Sequence, residues 1–346
     1  MKVKRFGEFL NENKLGKDPS MFGRRATIIR CDSDIVELTG DDRPDAMKRD
    51  TECLDELWNV IDARNSDGFY QGDQAILWYA GSKKGKNGKT VEKFFNNNMI
   101  GGENIYNSVE SPLISGDKLK FYNEFENEPF LPKTVGSISE ARKLKFPIVA
   151  KPAGGHSGLG IQKFKTVEDL NKSKEKFDLF SEYIDFTNEF RAFFVDNDII
   201  ELNERIPVKE DNKTIDTKKV DEKVSFCYVV QDLSKIPYVK EIQKIAKVIS
   251  KKLNLRVFSL DFVLDDNNKV WVLETNVQTG MGSGKLAKLY IKLCEDTYKE
   301  ELPKWYKDYL SDKYIKPGYK MNWSKRKAEI KSSNGAIDYE NEIKMK

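Results

Sequence analysis

Asp261 and Glu274 lie in SLDFVLDDNNKVWVLETN, a stretch that alternates apolar and polar residues around a turn-forming centre. The turn is Asp266-Asn267-Asn268-Lys269, with Asn267 and Asn268 as the central pair. A hairpin centred there pairs residue 265 with 270 and residue 261 with 274. Asp261 and Glu274 then face each other directly, Asn276 shares their face, and Val263 and Val272 are their apolar neighbours. Opposed carboxylates repel. A half-buried pair of this kind needs a cation or a shared proton. Oxygen-only donors suit magnesium, which keeps waters and completes its shell with substrate phosphates. The bland alternative is a solvated strand face with two accidental acids.

A second constellation is IVAKPAGGHSGLG. It places Lys151 at the end of a buried strand, followed by Gly154, Gly155, His156, Ser157, Gly158 and Gly160. Small residues let backbone N–H groups close over phosphate oxygens, and a lysine supplies a point charge for the same phosphates. A glycine loop alone is weak evidence, because many serve only as turns. The loop returns to a strand, which does not fit a dinucleotide-binding GxGxxG. GMGSGKL (280–286) is not a Walker A loop either, since Thr279 stands at the first glycine position and Leu286 follows the lysine.

Other chemistries are disfavoured by composition. His156 is the single histidine, and Cys31, Cys53, Cys227 and Cys294 are scattered, so a zinc site or a disulfide framework is not expected. With 59 basic and 56 acidic residues, the net charge of +3 gives no strong nucleic-acid signal. No apolar run is long enough to span a bilayer. MKVKRFGEFLNEN has no apolar h-region, so it does not read as a secretory signal, and the cytoplasm is the expected location.

These residues need elements to hold them. ATIIRC (26–31) and QAILWYAG (74–81) read as strands. Pro44 opens a helix with Met47, Leu54, Trp58 and Ile61 on one face. Residues 83–89 form a basic loop. Further on, SISEARKLK is a helix capped by Ser137 or Ser139, FPIVAKP and IQKFK are strands, Thr166 caps a second helix, and DLFSEYI is a third strand. EFRAFFV and IIELNERI form a hairpin through Asp196-Asn197-Asp198. Residues 209–223 are a charged loop and VSFCYVV is a strand. A helix follows Pro237, with Val239, Ile242, Ile245, Ala246 and Ile249 at helical spacing.

The order of these motifs resembles the ATP-grasp superfamily over roughly residues 117 to 290. Asp117-Lys118 resembles its first ATP-lysine motif, and Lys151 with the glycine loop resembles its second. FSEYID is similar to the linker that holds adenine, through Glu182, Tyr183 and Ile184. Glu189 matches the acid that binds ribose hydroxyls. Arg191 and Arg205, in EFR and ERIP, resemble arginines near phosphate and acyl groups in the glutathione-synthetase and ribosomal-protein glutamate-ligase branches. Asp261, Glu274 and Asn276 match the metal ligands. NVQTGMGSGKL aligns with the D-alanine–D-alanine ligase pattern N-T-S-P-G-M-T-x-x-S-L, which puts Ser283 in the substrate loop. Gln278-Thr279 there replace Ser-Pro, so the amino-acid substrate does not carry over. Lys285 stands near that loop, placed to meet a carboxylate; a surface lysine is the bland alternative.

The resemblance implies an α/β chain with the ATP-grasp fold. Its parts would be an N-terminal α/β domain (1–115), a small central lid (116–186), a C-terminal α+β domain (187–300) and a basic, aromatic tail (301–346). It implies an ATP-dependent carboxylate–amine ligase that uses one or two Mg2+ ions and forms an acyl phosphate. Small-molecule or peptide substrates fit, as does a protein acceptor. A homo-oligomer is compatible; membrane and nucleic-acid partners are not expected. The alternatives are an ATP-grasp hydroxyl kinase and a non-catalytic nucleotide-binding protein. The first residues also resemble leader segments of some tailed-phage head proteins, which would make the location a host cytoplasm. A generic amphipathic N-terminal helix is the other reading.

Overall fold

The computed structural model describes residues 26–30, 52–64, 74–77, 105–108, 111–152, 161–207, 226–277, 282–298 and 301–315, with single positions at 19, 90 and 93. The N-terminal segment 1–12, the basic loop 83–89, the loop 209–223 and the end of the tail lie outside them.

The first sheet is parallel and built from β1 (Ala26–Arg30), β2 (Trp58–Asp62), β3 (Gln74–Leu77) and β4 (Ile105–Tyr106), in the order β2-β1-β3-β4. The inner strand β1 buries Ala26, Thr27, Ile28 and Ile29, so both of its faces are covered, as parallel sheets require. One expected helix ends earlier than its apolar spacing suggests. The described helix occupies 52–57, and Trp58 and Ile61 fall on β2 instead. β-branched Val60 and Ile61 beside Trp58 favour the extended chain, and pairing with β1 overrides the helical period.

The second sheet is antiparallel and small: β5 (Thr134–Val135), β6 (Ile148–Lys151), β7 (Gln162–Phe164) and β8 (Leu179–Glu182), in the order β5-β8-β6-β7. Two short helices cover it. Ser137 caps Ile138–Ala141 by accepting from Glu140 N, and Thr166 caps Val167–Lys172 by accepting from Asp169 N. Ala141, Leu144, Ile148, Ala150, Phe164, Leu170 and Phe180 form its own core.

The third sheet carries the chemistry. It contains β9 (Asn188–Val195), β10 (Asp198–Pro207), β11 (Phe226–Val230), β12 (Val257–Leu264) and β13 (Val270–Asn276), in the order β11-β10-β9-β12-β13. The helix Val239–Leu253 lays Ile242, Ile245, Ala246, Ile249 and Leu253 on one face, against Phe190, Ala192, Phe194, Leu260 and Phe262. It stops at Asn254, whose left-handed backbone (φ 50) serves as its C-cap. The helix Lys118–Glu124 adds Phe121 and Tyr122 to the same core.

The residues after the third sheet return to the first. Helices Ser283–Tyr298 and Lys304–Leu310, with the turn 311–315, bury Leu286, Tyr290, Leu293, Tyr306, Leu310 and Tyr314 against Ile28, Trp58 and Tyr106. Asn107 (φ 71) ties the first sheet to β12: its amide donates to Val257 O at 2.7 Å and accepts from Arg256 N and Val257 N.

Candidate active site

One face of the third sheet packs on a helix; the other presents polar side chains in register. Asn203, Arg191, Asp261 and Glu274 form one row across β10, β9, β12 and β13. Glu201, Phe193, Ser259 and Asn276 form the next. Arg205, Glu189 and Val263 form the row on the other side. A period of two along each strand puts all these side chains on one face.

Asp261 and Glu274 do face each other, but the expected register is off by one near the turn. The last pair is Leu264 with Val270, and the loop is 265–269. Asp265 causes this, because its carboxylate accepts from Asn267 N, Lys269 N and Trp271 Nε1 and so builds a longer turn. A bulge at Leu273 then restores the pairing of Asp261 with Glu274. Val272 therefore pairs with Phe262 and lies in the helix-side core, rather than beside the acids as the simple register implied.

Asp261 is 2% exposed. Arg191 holds it with two bonds, Nε to Oδ1 and Nη2 to Oδ2, both 2.6 Å. Burial pushes the Asp261 carboxyl up, Arg191 opposes this, and Glu274 adds to it. Glu274 is held below the usual carboxylate range. Burial opposes its charge, but Lys118, the Asn276 amide and Lys151 outweigh it. Lys118 Nζ lies 3.2 Å from Glu274 Oε2, and Asn276 Nδ2 donates to Oε1 at 3.3 Å. Arg205 is hydrogen-bonded to Glu189 and lies 3.8 Å from Asp261 Oδ2. Burial raises Glu189 against the pull of Arg205. Lys151 is pushed down to about 8, first by burial and then by Lys118.

Eight of the expected site residues thus meet in one electrostatic cluster: Lys118, Lys151, Glu189, Arg191, Arg205, Asp261, Glu274 and Asn276. Its four full cations outnumber its three carboxylates, so the cluster suits a polyanion. Glu182, Tyr183 and Ile184 lie at the end of β8 and in the link to β9. There Glu182 accepts from Lys145 N, Tyr183 N donates to Pro147 O, and Lys163 caps the Tyr183 ring at 3.5 Å. Gly154, Gly155, His156, Ser157 and Gly158 lie outside the described residues, as does the Ser283 side chain. Lys285 meets a carboxylate of the protein itself, Glu201 at 3.6 Å, and Lys288 meets it at 2.8 Å.

Glu201, Lys288, Asn203 and Ser259 carried no sequence signal of their own. The strand register places Glu201, Asn203 and Ser259 beside Arg191 and Asp261, and Lys288 joins them from the helix Ser283–Tyr298 through Glu201. Among the described residues, no group of three or more carboxylate, histidine or cysteine side chains could cage a metal. Asp261, Glu274 and the Asn276 amide are hard oxygen donors on one face. That set fits an ion completing its shell with phosphates and waters.

Residues 122–296 match the family described as D-ala D-ala ligase C-terminus. A search of curated proteins by sequence returns no relative. Solved structures share the fold at low identity. The D-alanine–D-alanine ligase of Bacillus anthracis is 17% identical, with 80% of this chain and 99% of that one covered and a TM-score of 0.52. The ATP-grasp ligase PsnB, complexed with a phosphomimetic variant of its minimal precursor, Mg and ADP, is 12% identical over 80% and 99%, TM-score 0.53. N5-carboxyaminoimidazole synthetase from Staphylococcus aureus, complexed with ADP, is 13% identical over 82% and 80%, TM-score 0.53.

Proposed function

This chain belongs to the D-ala D-ala ligase C-terminal family of ATP-dependent ligases, and from that membership we propose a reaction. The protein activates a carboxylate as an acyl phosphate and joins it to an amine, with ATP leaving as ADP and phosphate. The observation that carries this is the row of Arg191, Asp261 and Glu274, flanked by Lys118 and Lys151 and backed by Arg205. Lys118 and Lys151 bind the phosphates. Their charge is partly spent on Glu274 until nucleotide arrives. Asp261, Glu274 and Asn276 would hold magnesium, which would supply positive charge to the phosphates. To expose Asp261, Arg191 must release or share its carboxylate oxygens, and the guanidinium can then turn to the acyl or phosphate oxygens. Arg205 stabilises the negative charge of the tetrahedral adduct. Glu182, Tyr183 and Ile184 line the adenine, and Glu189 receives the ribose hydroxyls after leaving Arg205.

The substrates are small molecules or peptides. One solved neighbour, the ATP-grasp ligase PsnB, is complexed with a precursor peptide, which supports a peptide substrate here. No helix among the described residues is long and apolar enough to cross a membrane, and we place the protein in the cytoplasm. A screen of carboxylates and amines, with ADP, AMP and phosphate separated, tests the reading. ADP and phosphate appearing together, only with both substrates, is expected. AMP would contradict it. A stable phosphorylated product would favour the hydroxyl-kinase alternative.

A further inference from the structure

The hairpin that carries the metal acids does not keep one register. From the turn inward the pairs are Leu264 with Val270, Val263 with Trp271 and Phe262 with Val272, and then Asp261 with Glu274. Leu273 is the extra residue. Without the bulge, the register set at the turn would put Glu274 opposite Leu260, whose side chain lies in the helix-side core. Side chains alternate faces, so a slip of one residue would carry Glu274 away from Asp261.

A bulge leaves backbone groups outside the ladder, and these need partners. One short stretch supplies them. The Tyr122 hydroxyl donates to Leu273 O at 3.0 Å, and Val272 N donates to Phe130 O at 2.8 Å. Tyr122 is 3% exposed, set edge-on to Phe121 in the core. Lys118 stands one helical turn before Tyr122 and reaches the Glu274 carboxylate. A single helix therefore grips both the bulge carbonyl and the side chain that the bulge presents.

We propose that Tyr122 is a positioning residue for the metal acids. Its hydroxyl fixes the Leu273 bulge and so keeps Glu274 facing Asp261. The inference rests on the reading that these two acids hold the divalent ion. Tyr122 acts through the Leu273 carbonyl.

The test is Mn2+ binding to the full chain, followed by electron paramagnetic resonance in the presence of ADP. Three proteins are compared: wild type, Tyr122→Phe and Tyr314→Phe. The phenylalanine keeps the ring and its packing and removes the hydroxyl's bonds to Leu273 O and to Ser181. Tyr314 also loses a hydroxyl bond, to Glu56 in the N-terminal core, and controls for general loosening. Tyr122→Phe is expected to weaken Mn2+ binding about tenfold, the scale of one lost buried hydrogen bond. Metal-free ADP binding should stay within about twofold, and excess Mn2+ should restore full occupancy. Tyr314→Phe should bind Mn2+ as wild type does. Equal Mn2+ affinity in Tyr122→Phe and wild type overturns the inference. So does a variant in which Mn2+ and metal-free ADP binding fall together. If wild type with ADP binds no Mn2+, the metal reading itself is wrong and this inference falls with it.

Discussion

Asp261 is a buried carboxylate whose two oxygens are both engaged by Arg191. Asp261→Asn should lower turnover roughly a hundredfold or more, since it removes a carboxylate proposed to hold the magnesium ion. Nucleotide-free stability should hold, because burial already opposes the Asp261 charge and the asparagine oxygen can still accept from Arg191. Steady-state kinetics and chemical denaturation measure the two effects. Wild-type activity in Asp261→Asn would remove the residue from the chemistry. Lys151 gives a pH signature. Its folded pKa is lowered to about 8, so the unfolded chain binds its proton more tightly. This group therefore costs stability below about 8, and the cost fades as pH rises from there toward the ordinary lysine value near 10.4. The stability difference between Lys151→Met and wild type should shrink over that window. A constant difference would mean that Lys151 is not depressed. The acids were legible from alternation and turn residues alone. The Arg191 fork was not, because nothing in a linear pattern says which strand pairs with β12.

At the scale of elements, the hairpin shows how a correct pairing can rest on an incomplete route. Asp265 lengthens the turn and Leu273 bulges, and the two deviations cancel by Asp261. Propensity sees neither, since an Asx turn and a bulge depend on backbone donors meeting specific acceptors. Glu201 is the second case. It is nearly buried, with Lys285, Lys288 and Asn203 around it, and these contacts dock the helix Ser283–Tyr298 on β10. Its carboxyl stays below the usual range although burial pushes the other way, because both lysines pull it down. Glu201→Gln should cost about 1–3 kcal/mol, reduced from the fully buried figure by the partial exposure of the lysines. Urea denaturation checks it; no loss would mean the lysines pair elsewhere. Gly284, at the start of that helix, lies close under the 311–315 turn: an added Cβ would sit 3.1 Å from Tyr314 O, a tight contact.

Across the whole molecule, the C-terminal helices complete the N-terminal core. Composition read 301–346 as a basic, aromatic tail, yet Tyr306, Leu310 and Tyr314 are buried against the first sheet. The aromatic residues were visible in the sequence, but their destination lies some two hundred and fifty residues away in the chain. Glu56 is the clamp. It accepts from Tyr309, Lys313 and Tyr314, and these bonds hold its pKa low although burial works against it. A depressed carboxylate stabilises above its unfolded pKa and stops doing so as pH falls through its folded value. Glu56→Gln should therefore cost about 1–2 kcal/mol at neutral pH, and the difference from wild type should vanish in acid. A difference that persists at low pH would exclude a charge-based clamp.

An acyl phosphate made on the row of Arg191, Asp261 and Glu274 can be trapped with hydroxylamine. Once the screen has identified the carboxylate, enzyme, magnesium, ATP and that acid are mixed with hydroxylamine and no amine. A hydroxamate is expected, with ADP formed in equal amount. Arg205→Ala should reduce the hydroxamate more than it weakens ATP binding, because that arginine acts after phosphoryl transfer. ADP accompanied by a phosphorylated product that survives hydroxylamine, with no hydroxamate, would contradict the account.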